Sequence, residues 1–153
     1  VSTGIAGKKG FSVLTIEKDL MNAEIGFGRK VLEVFEDNDL SFEHLPSGID
    51  TMSLVISSAA LEGRRDKLMQ SVARAVHPDS VFIEDGLALV AVVGRGMIKA
   101  KGTAARVCDA LARADVNIRM IDQGSSELNI IVGVDEDEYE TAVAAIYGEF
   151  VRS

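Results

Sequence analysis

Two neighbouring turns carry the chemistry that this sequence offers. The first reads Met21-Asn22-Ala23-Glu24-Ile25-Gly26-Phe27-Gly28 and leads into a helical pattern, and the unpaired N–H groups and positive dipole end of a helix favour a carboxylate. The second turn and the strand before it supply Glu43, Ser47 and Asp50, whose oxygens suit an ammonium group. An α-amino acid carries both charges, so the turns predict a pocket for a free amino acid. The alternative is that they are ordinary turn glycines and solvated acids.

Catalytic and metal-binding machinery is not visible in the sequence. Histidine occurs only at His44 and His77 and cysteine only at Cys108, which gives neither a metal-ligand cluster nor a nucleophile with a neighbouring base. The run Gly94-Arg95-Gly96 fails as a dinucleotide fingerprint because Lys99 stands where the third glycine is needed. A glycine-rich phosphate loop is also absent. We therefore predict no catalytic residue, no metal site and no cofactor in this chain.

Composition is typical of a globular protein and narrows the class of partner. Of 153 residues 47% are hydrophobic, and 16 lysines and arginines against 24 acids give a net charge of −8. This charge argues against nucleic-acid and anionic-membrane surfaces, which need clustered cations. A single cysteine excludes an internal disulfide framework and fits a reducing compartment, so we expect a cytoplasmic protein. Because the chain begins without methionine and enters an apolar pattern almost at once, we also expect it to be cut from a longer polypeptide.

The sequence repeats itself at an offset of 76 residues. Without a gap, Phe11–Ile16 falls on Leu87–Val92, Gly26 falls on Gly102, and the apolar run Leu54-Val55-Ile56 falls on Ile130-Ile131-Val132. A period of this length exceeds the ~20–50 residues of solenoid repeats, so it predicts a duplicated domain rather than an array.

Hydrophobic periodicity changes in the same order within each copy. Copy one predicts a strand, a helix, two strands, a helix and a strand, at Phe11–Ile16, from Phe27 onward, Leu40–Leu45, Met52–Ser57, about Glu62–Val76 and Val81–Glu84. Copy two predicts the same elements at Leu87–Val93, Thr103–Ala114, Asn117–Ile121, Leu128–Val134 and Glu136–Glu149, and then has too few residues for a last strand.

The segment Ser2–Ala6, which belongs to nothing in copy one, is predicted to supply that last strand to copy two. The expected fold is therefore α+β, with two ferredoxin-like βαββαβ units whose antiparallel sheets carry helices on one face, interlocked through the N-terminal strand. The predicted domains span residues 8–85 and residues 86–153 plus 1–7.

Four segments carry a resemblance to a known family. Gly102–Val107 and the run from Val116 to Glu127 resemble the C-terminal regulatory half of aspartate kinases, and Glu17–Asn22 and Ser41–Asp50 resemble the first ACT domain of the monofunctional enzymes of that family. The resemblance covers the chain from about Thr3 to Arg152. It implies tandem ACT domains, which in that family bind lysine, threonine or both as feedback inhibitors at interfaces between subunits.

The resemblance also implies effector-binding residues, a homodimer formed through the ACT domains, and a covalently attached kinase domain in the full-length protein. Carried onto this sequence, the effector residues are Met21, Gly26, Phe27, Gly28, Phe42, Glu43, Ser47, Gly48, Ile49 and Asp50 in copy one and Asn117 and Ile118 in copy two. The Lys-Phe-Gly-Gly signature of the kinase domain is absent, so no kinase activity is expected of this chain. ATP and Mg are expected only in the kinase domain.

Two other functions stay open at this point. A ligand-free dimerisation module of a larger enzyme would keep the fold without the pocket, although the acids Glu43 and Asp50 argue against it. A small ferredoxin-like enzyme acting alone would need a nucleophile or base that the sequence does not offer. The same two acids favour lysine over threonine as the effector, because either carboxylate could meet a second ammonium group.

Overall fold

The computed structural model of the chain describes residues 3–94, 102–123 and 129–150. Its strands in chain order are β1 (Thr3–Glu17), β2 (Thr51–Ser57), β3 (Ser80–Gly94), β4 (Met120–Asp122) and β5 (Asn129–Asp135). Its helices are α1 (Phe27–Asp37), α2 (Arg65–Val76), α3 (Thr103–Arg113) and α4 (Tyr139–Phe150). None of the described helices is long and apolar enough to cross a membrane.

Residues 10–85 form one compact unit. Its strands lie in the order β2, β1, β3, and β1 runs antiparallel to β2 with Leu14 opposite Leu54. Apolar residues three and four positions apart give each helix one buried face: Val31, Val34 and Phe35 on α1 and Leu68, Val72 and Val76 on α2 pack on the inward side chains of the strands.

Residues 1–9 and 86–153 form the second compact unit. Its strands lie in the order β1, β3, β5, β4, and β3 and β5 are antiparallel with Val90 opposite Val132. Ile5 of β1 packs against the core of this unit. The predicted assignment of residues 8–85 and of residues 86–153 plus 1–7 to two separate domains stays a prediction.

The α+β class and the antiparallel sheets with their helices are confirmed, and several predicted boundaries are wrong. Leu40–Leu45 is not a regular strand; this stretch meets β2 only through isolated bridges at His44 and Ser47, next to Pro46, which lacks an N–H for a ladder. The strand predicted at Asn117–Ile121 begins only at Met120. Both second helices start three residues later than predicted, after short 3-10 turns at Ser58–Leu61 and Glu136–Glu138.

Two strands that the sequence separates are continuous in the structure. Val81–Glu84 and Leu87–Val93 both belong to β3, which passes through Gly86. Gly86 has a φ of 77°, and Gly10 in β1 has a φ of 92°, a left-handed conformation that glycine adopts without penalty.

The duplication is visible in backbone conformation as well as in sequence. Positive φ angles recur 76 residues apart at Gly10 and Gly86, at Gly26 and Gly102, and at Asp39 and Asp115. α1 and α3 also begin 76 residues apart, at Phe27 and Thr103.

The ungapped register is wrong in the second half of each copy. Leu14 and Val90 are 76 residues apart, but their strand partners Leu54 and Val132 are 78 apart, so Leu54 does not correspond to Ile130. The starts of α2 and α4 are 74 residues apart, because three residues rather than seven connect the preceding strand to α4. Connections between elements absorb such changes in length at little cost.

Candidate functional site

An open pocket of about 230 Å³ lies at the N-terminus of α1. Three segments form it: the turn after β1, the first turn of α1, and the turn that leads into β2. The lining residues are Met21, Asn22, Glu24, Gly26, Phe27, Gly28, Ser47, Gly48 and Met52.

The start of α1 presents backbone donors to this pocket. Gly26 precedes the helix in a left-handed conformation (φ 83°, ψ 6°), and no side chain caps the helix. The N–H of Phe27 donates to the carbonyl of Glu24 at 3.3 Å. The next N–H groups, those of Gly28 and Arg29, are among the first four of the helix, which have no intrahelical acceptor. Together with the helix dipole, they make this end of the pocket suitable for a carboxylate.

The floor of the pocket is apolar. Met21, Phe27 and Met52 line it and belong to the buried core of their unit. Gly28 leaves room above them, because a Cβ at this position would meet only the Cε of Met52, at 3.9 Å. A ligand can therefore place a short carbon chain against this floor while its polar ends meet the walls.

Backbone hydrogen bonds tie the two turns together. The N–H of Asn22 donates to the carbonyl of Ile49 at 3.0 Å, and the N–H of Lys18 donates to the carbonyl of Asp50 at 2.9 Å. The carboxylate of Asp50 accepts a further hydrogen bond from the N–H of Leu20 at 2.9 Å. Asp50 thus orders the turn after β1.

Glu24 is the acidic residue in the wall of the pocket. Its Oε1 accepts a hydrogen bond of 2.6 Å from Nζ of Lys18, and its Oε2 lies 3.7 Å from Nζ of Lys30. The hydrogen bond from Lys18, together with the charges of Lys18 and Lys30, holds the pKa of this carboxyl below its ordinary value. The wall therefore carries an ionised carboxylate at neutral pH.

The structure brings six of the ten predicted residues of copy one into the pocket, namely Met21, Gly26, Phe27, Gly28, Ser47 and Gly48. The other four lie beside it. Ile49 and Asp50 serve the turn contacts just described, Glu43 is exposed and its N–H donates to the carbonyl of Val55, and Phe42 packs edge-on against Phe35 with ring centroids 6.4 Å apart.

Sequence reasoning left three lining residues out of the predicted set: Asn22, Glu24 and Met52. Asn22 and Glu24 lie inside the turn that was singled out, so their position was the available signal. Met52 is the first buried residue of β2, and it gave no signal beyond that of a core residue.

In copy two, Asn117 is exposed, whereas Ile118 is partly buried against the core of its unit. Gly102 begins α3 with φ 81° and ψ 7°, nearly the conformation of Gly26. Met97, Ile98 and Gly124–Ser126, which the sequence also placed at the turns of copy two, lie outside the described residues.

Comparison with known proteins decides the family. The chain is 52% identical to the aspartate kinase of Clostridium acetobutylicum, whose crystal structure matches 96% of this chain and 34% of that one with a TM-score of 0.93. It is 44% identical over 148 residues to Aspartokinase 3 of Bacillus subtilis (strain 168), covering 96% of this chain and 33% of that protein. Residues 90–150 match the ACT domain family. The chain belongs to the regulatory regions of the aspartate kinases.

The chain spans about one third of the length of these relatives. A further match is the structure of E. coli aspartokinase III in complex with lysine and aspartate (T-state), which is 26% identical and has a TM-score of 0.75 over 95% of this chain and 32% of that one. The resemblance drawn from the sequence is therefore confirmed, as is the prediction that the chain is the regulatory part of such an enzyme and not its kinase part.

Proposed function

We propose that this chain senses a free amino acid, lysine or threonine, and inhibits an attached aspartate kinase domain when the amino acid binds. The observation that carries the proposal is the pocket itself, where the N-terminus of α1 faces Ser47 and the carboxylate of Glu24 above an apolar floor. A zwitterionic ligand finds backbone donors for its carboxylate and oxygen acceptors for its ammonium group there. The full-length enzyme would act in the cytoplasm and supply end-product control of amino-acid synthesis.

Two of the related structures support an effector of this kind. The Clostridium enzyme is described as allosteric, and the E. coli enzyme was crystallised with lysine. The earlier preference for lysine depended on Glu43 and Asp50, which lie beside the pocket rather than in its wall, so the proposal keeps lysine and threonine on an equal footing.

Exposed apolar side chains near the pocket support the proposed homodimer. Ile25 is 98% exposed, and Leu20 and Ile49 are each 65% exposed. All three lie in the turns that build the pocket, and clustered apolar exposure of this kind marks interaction surfaces. We propose that a second copy of the chain covers this surface and completes the site, and that residues 8–85 and residues 86–153 plus 1–7 act as two ACT domains.

Isothermal titration calorimetry with lysine, threonine and both together tests the sensing function, and analytical ultracentrifugation of the same samples tests the dimer. We expect saturable heat with at least one amino acid and a dimer that becomes tighter in its presence, since a ligand that binds one state better shifts the population toward it. A folded dimer that gives no heat with either amino acid would instead establish a ligand-free dimerisation module.

A further inference from the structure

Glu24 differs from every other lining residue of the pocket because it carries a formal charge. The remaining described residues of the wall and floor are glycines, methionines, Asn22, Phe27 and Ser47. An effector with an ammonium group therefore meets one ionised partner there, and a charge-assisted hydrogen bond to a carboxylate is about twice as strong as a neutral one.

The two oxygens of Glu24 are held very differently. Oε1 is bound by Lys18, whose Nζ also donates to the carbonyl of Val76 at 2.6 Å and lies 5.9 Å from the ring centroid of Phe27. With these contacts and a side chain only 23% exposed, Lys18 fixes the orientation of the carboxylate. Oε2 faces Lys30 at 3.7 Å, a distance too long for a hydrogen bond.

Lys30 has a second place to go. Its side chain is 40% exposed, and it also lines a groove between α1 and α2 together with Glu33 and Asp37. Exposed ion pairs contribute little to stability, typically about 0.2–1 kcal/mol, and the acids of the groove offer Lys30 other partners. Oε2 is therefore the oxygen that a ligand can claim.

We propose that Glu24 is a specificity residue of the pocket, which binds an ammonium group of the effector through Oε2 while Lys30 withdraws toward the groove. Lys18 is the positioning residue that presents the carboxylate. This assignment rests on the proposed sensing function, and it adds that Lys30 competes with the effector for the same oxygen.

The competition predicts opposite effects for two neighbouring substitutions. Glu24→Gln keeps the size of the side chain and removes its charge, so we expect the affinity for the effector to fall about tenfold, as befits a lost hydrogen bond to a charged group. Lys30→Ala removes the competitor, so we expect affinity to rise about two- to fivefold, the scale of an exposed ion pair. Calorimetry on the whole chain with lysine and threonine measures both.

Glu33→Gln is the matched control, because Glu33 lies on the same helix, pairs with Arg29 at 2.9 Å and lies outside the pocket wall. It should leave affinity unchanged. Thermal unfolding of each variant shows that a loss of binding is not a loss of folding, and Lys30→Ala tests the assignment even if Glu24→Gln proves unstable.

The outcomes separate this assignment from the function on which it rests. A wild-type chain that binds neither amino acid overturns both. Binding that Glu24→Gln leaves unchanged, or that Lys30→Ala weakens, overturns the role of Glu24 alone. Where Glu24→Gln weakens lysine and threonine equally, the α-ammonium is the group bound; where it weakens lysine alone, the group is the side-chain ammonium.

Discussion

Gly7→Ala tests the prediction that the N-terminal strand is part of the second unit. A Cβ at Gly7 would lie 2.7 Å from Cε1 and 2.9 Å from Cζ of Tyr139, closer than carbon atoms pack. The tyrosine ring packs against the core of the unit and lies 5.5 Å from Nζ of Lys9, so moving it gives up contacts. Overpacking of this kind costs about 1–3 kcal/mol, and each ~1 kcal/mol lowers the Tm of a 60–100-residue unit by about 4–8 °C.

Hydrogen exchange followed by mass spectrometry locates the effect. We expect faster exchange in β5 and α4, while α1 and α2 keep their protection, because the clash lies within the unit of residues 1–9 and 86–153. Gly4→Ala is the matched control in the same strand, since its Cβ would meet only the carbonyl oxygen of Val93, at an ordinary 3.9 Å. Removal of residues 1–7 should unfold the same unit. A truncated chain of full stability, or equal loss of protection in both units, would refute the reasoning.

Three further predictions follow from the pocket and from the charges. Gly28→Ala should stabilise the chain by up to about 1 kcal/mol, because alanine is the better helix former, yet weaken effector binding by placing a methyl beside the proposed carboxylate site; unchanged affinity in calorimetry would count against that site. Gly26→Ala should destabilise by about 1–2 kcal/mol in urea unfolding, because alanine resists the left-handed conformation. Hydrogen bonds from Arg106 and Arg113 hold the pKa of Glu149 below its ordinary value of 4.5, so the stability they give is complete above about pH 4.5 and is lost as pH falls through the lowered pKa. Wild type and Glu149→Gln should therefore differ most in urea midpoint near neutral pH, and a gap independent of pH would contradict this.

The fold was predictable where a pattern had only one interpretation. Val31, Val34 and Phe35 have a helical spacing, and α1 forms there. The match of Leu54 with Ile130 failed for a physical reason: side chains alternate along a strand with a period of two, so a shift of two residues keeps every apolar residue on the same face. β2 and β5 show the same burial pattern from their second residue onward, and only the paired strands reveal the true register.

The site was predictable as a place but not as a set of contacts. Sequence reasoning found both turns, because a glycine before a helix and a proline–glycine turn are local signals. It could not assign the acids, since whether a carboxylate faces a ligand or its own backbone is decided by folding. Asp50 accepts a hydrogen bond from the N–H of Leu20, whereas Glu24 meets Lys18 from across the turn.

The two copies share a backbone at the helix start and differ in what stands on it. Gly26 and Gly102 have nearly the same φ and ψ, but Gly28 is followed through the repeat by Ala104, which packs against the core of its unit. Gly28→Ala therefore gives the first copy a feature of the second. If that one methyl abolishes effector binding while raising stability, it suffices to separate the copies in function. If binding persists, the difference must come from side chains such as Glu24, whose counterpart in the repeat is Ala100.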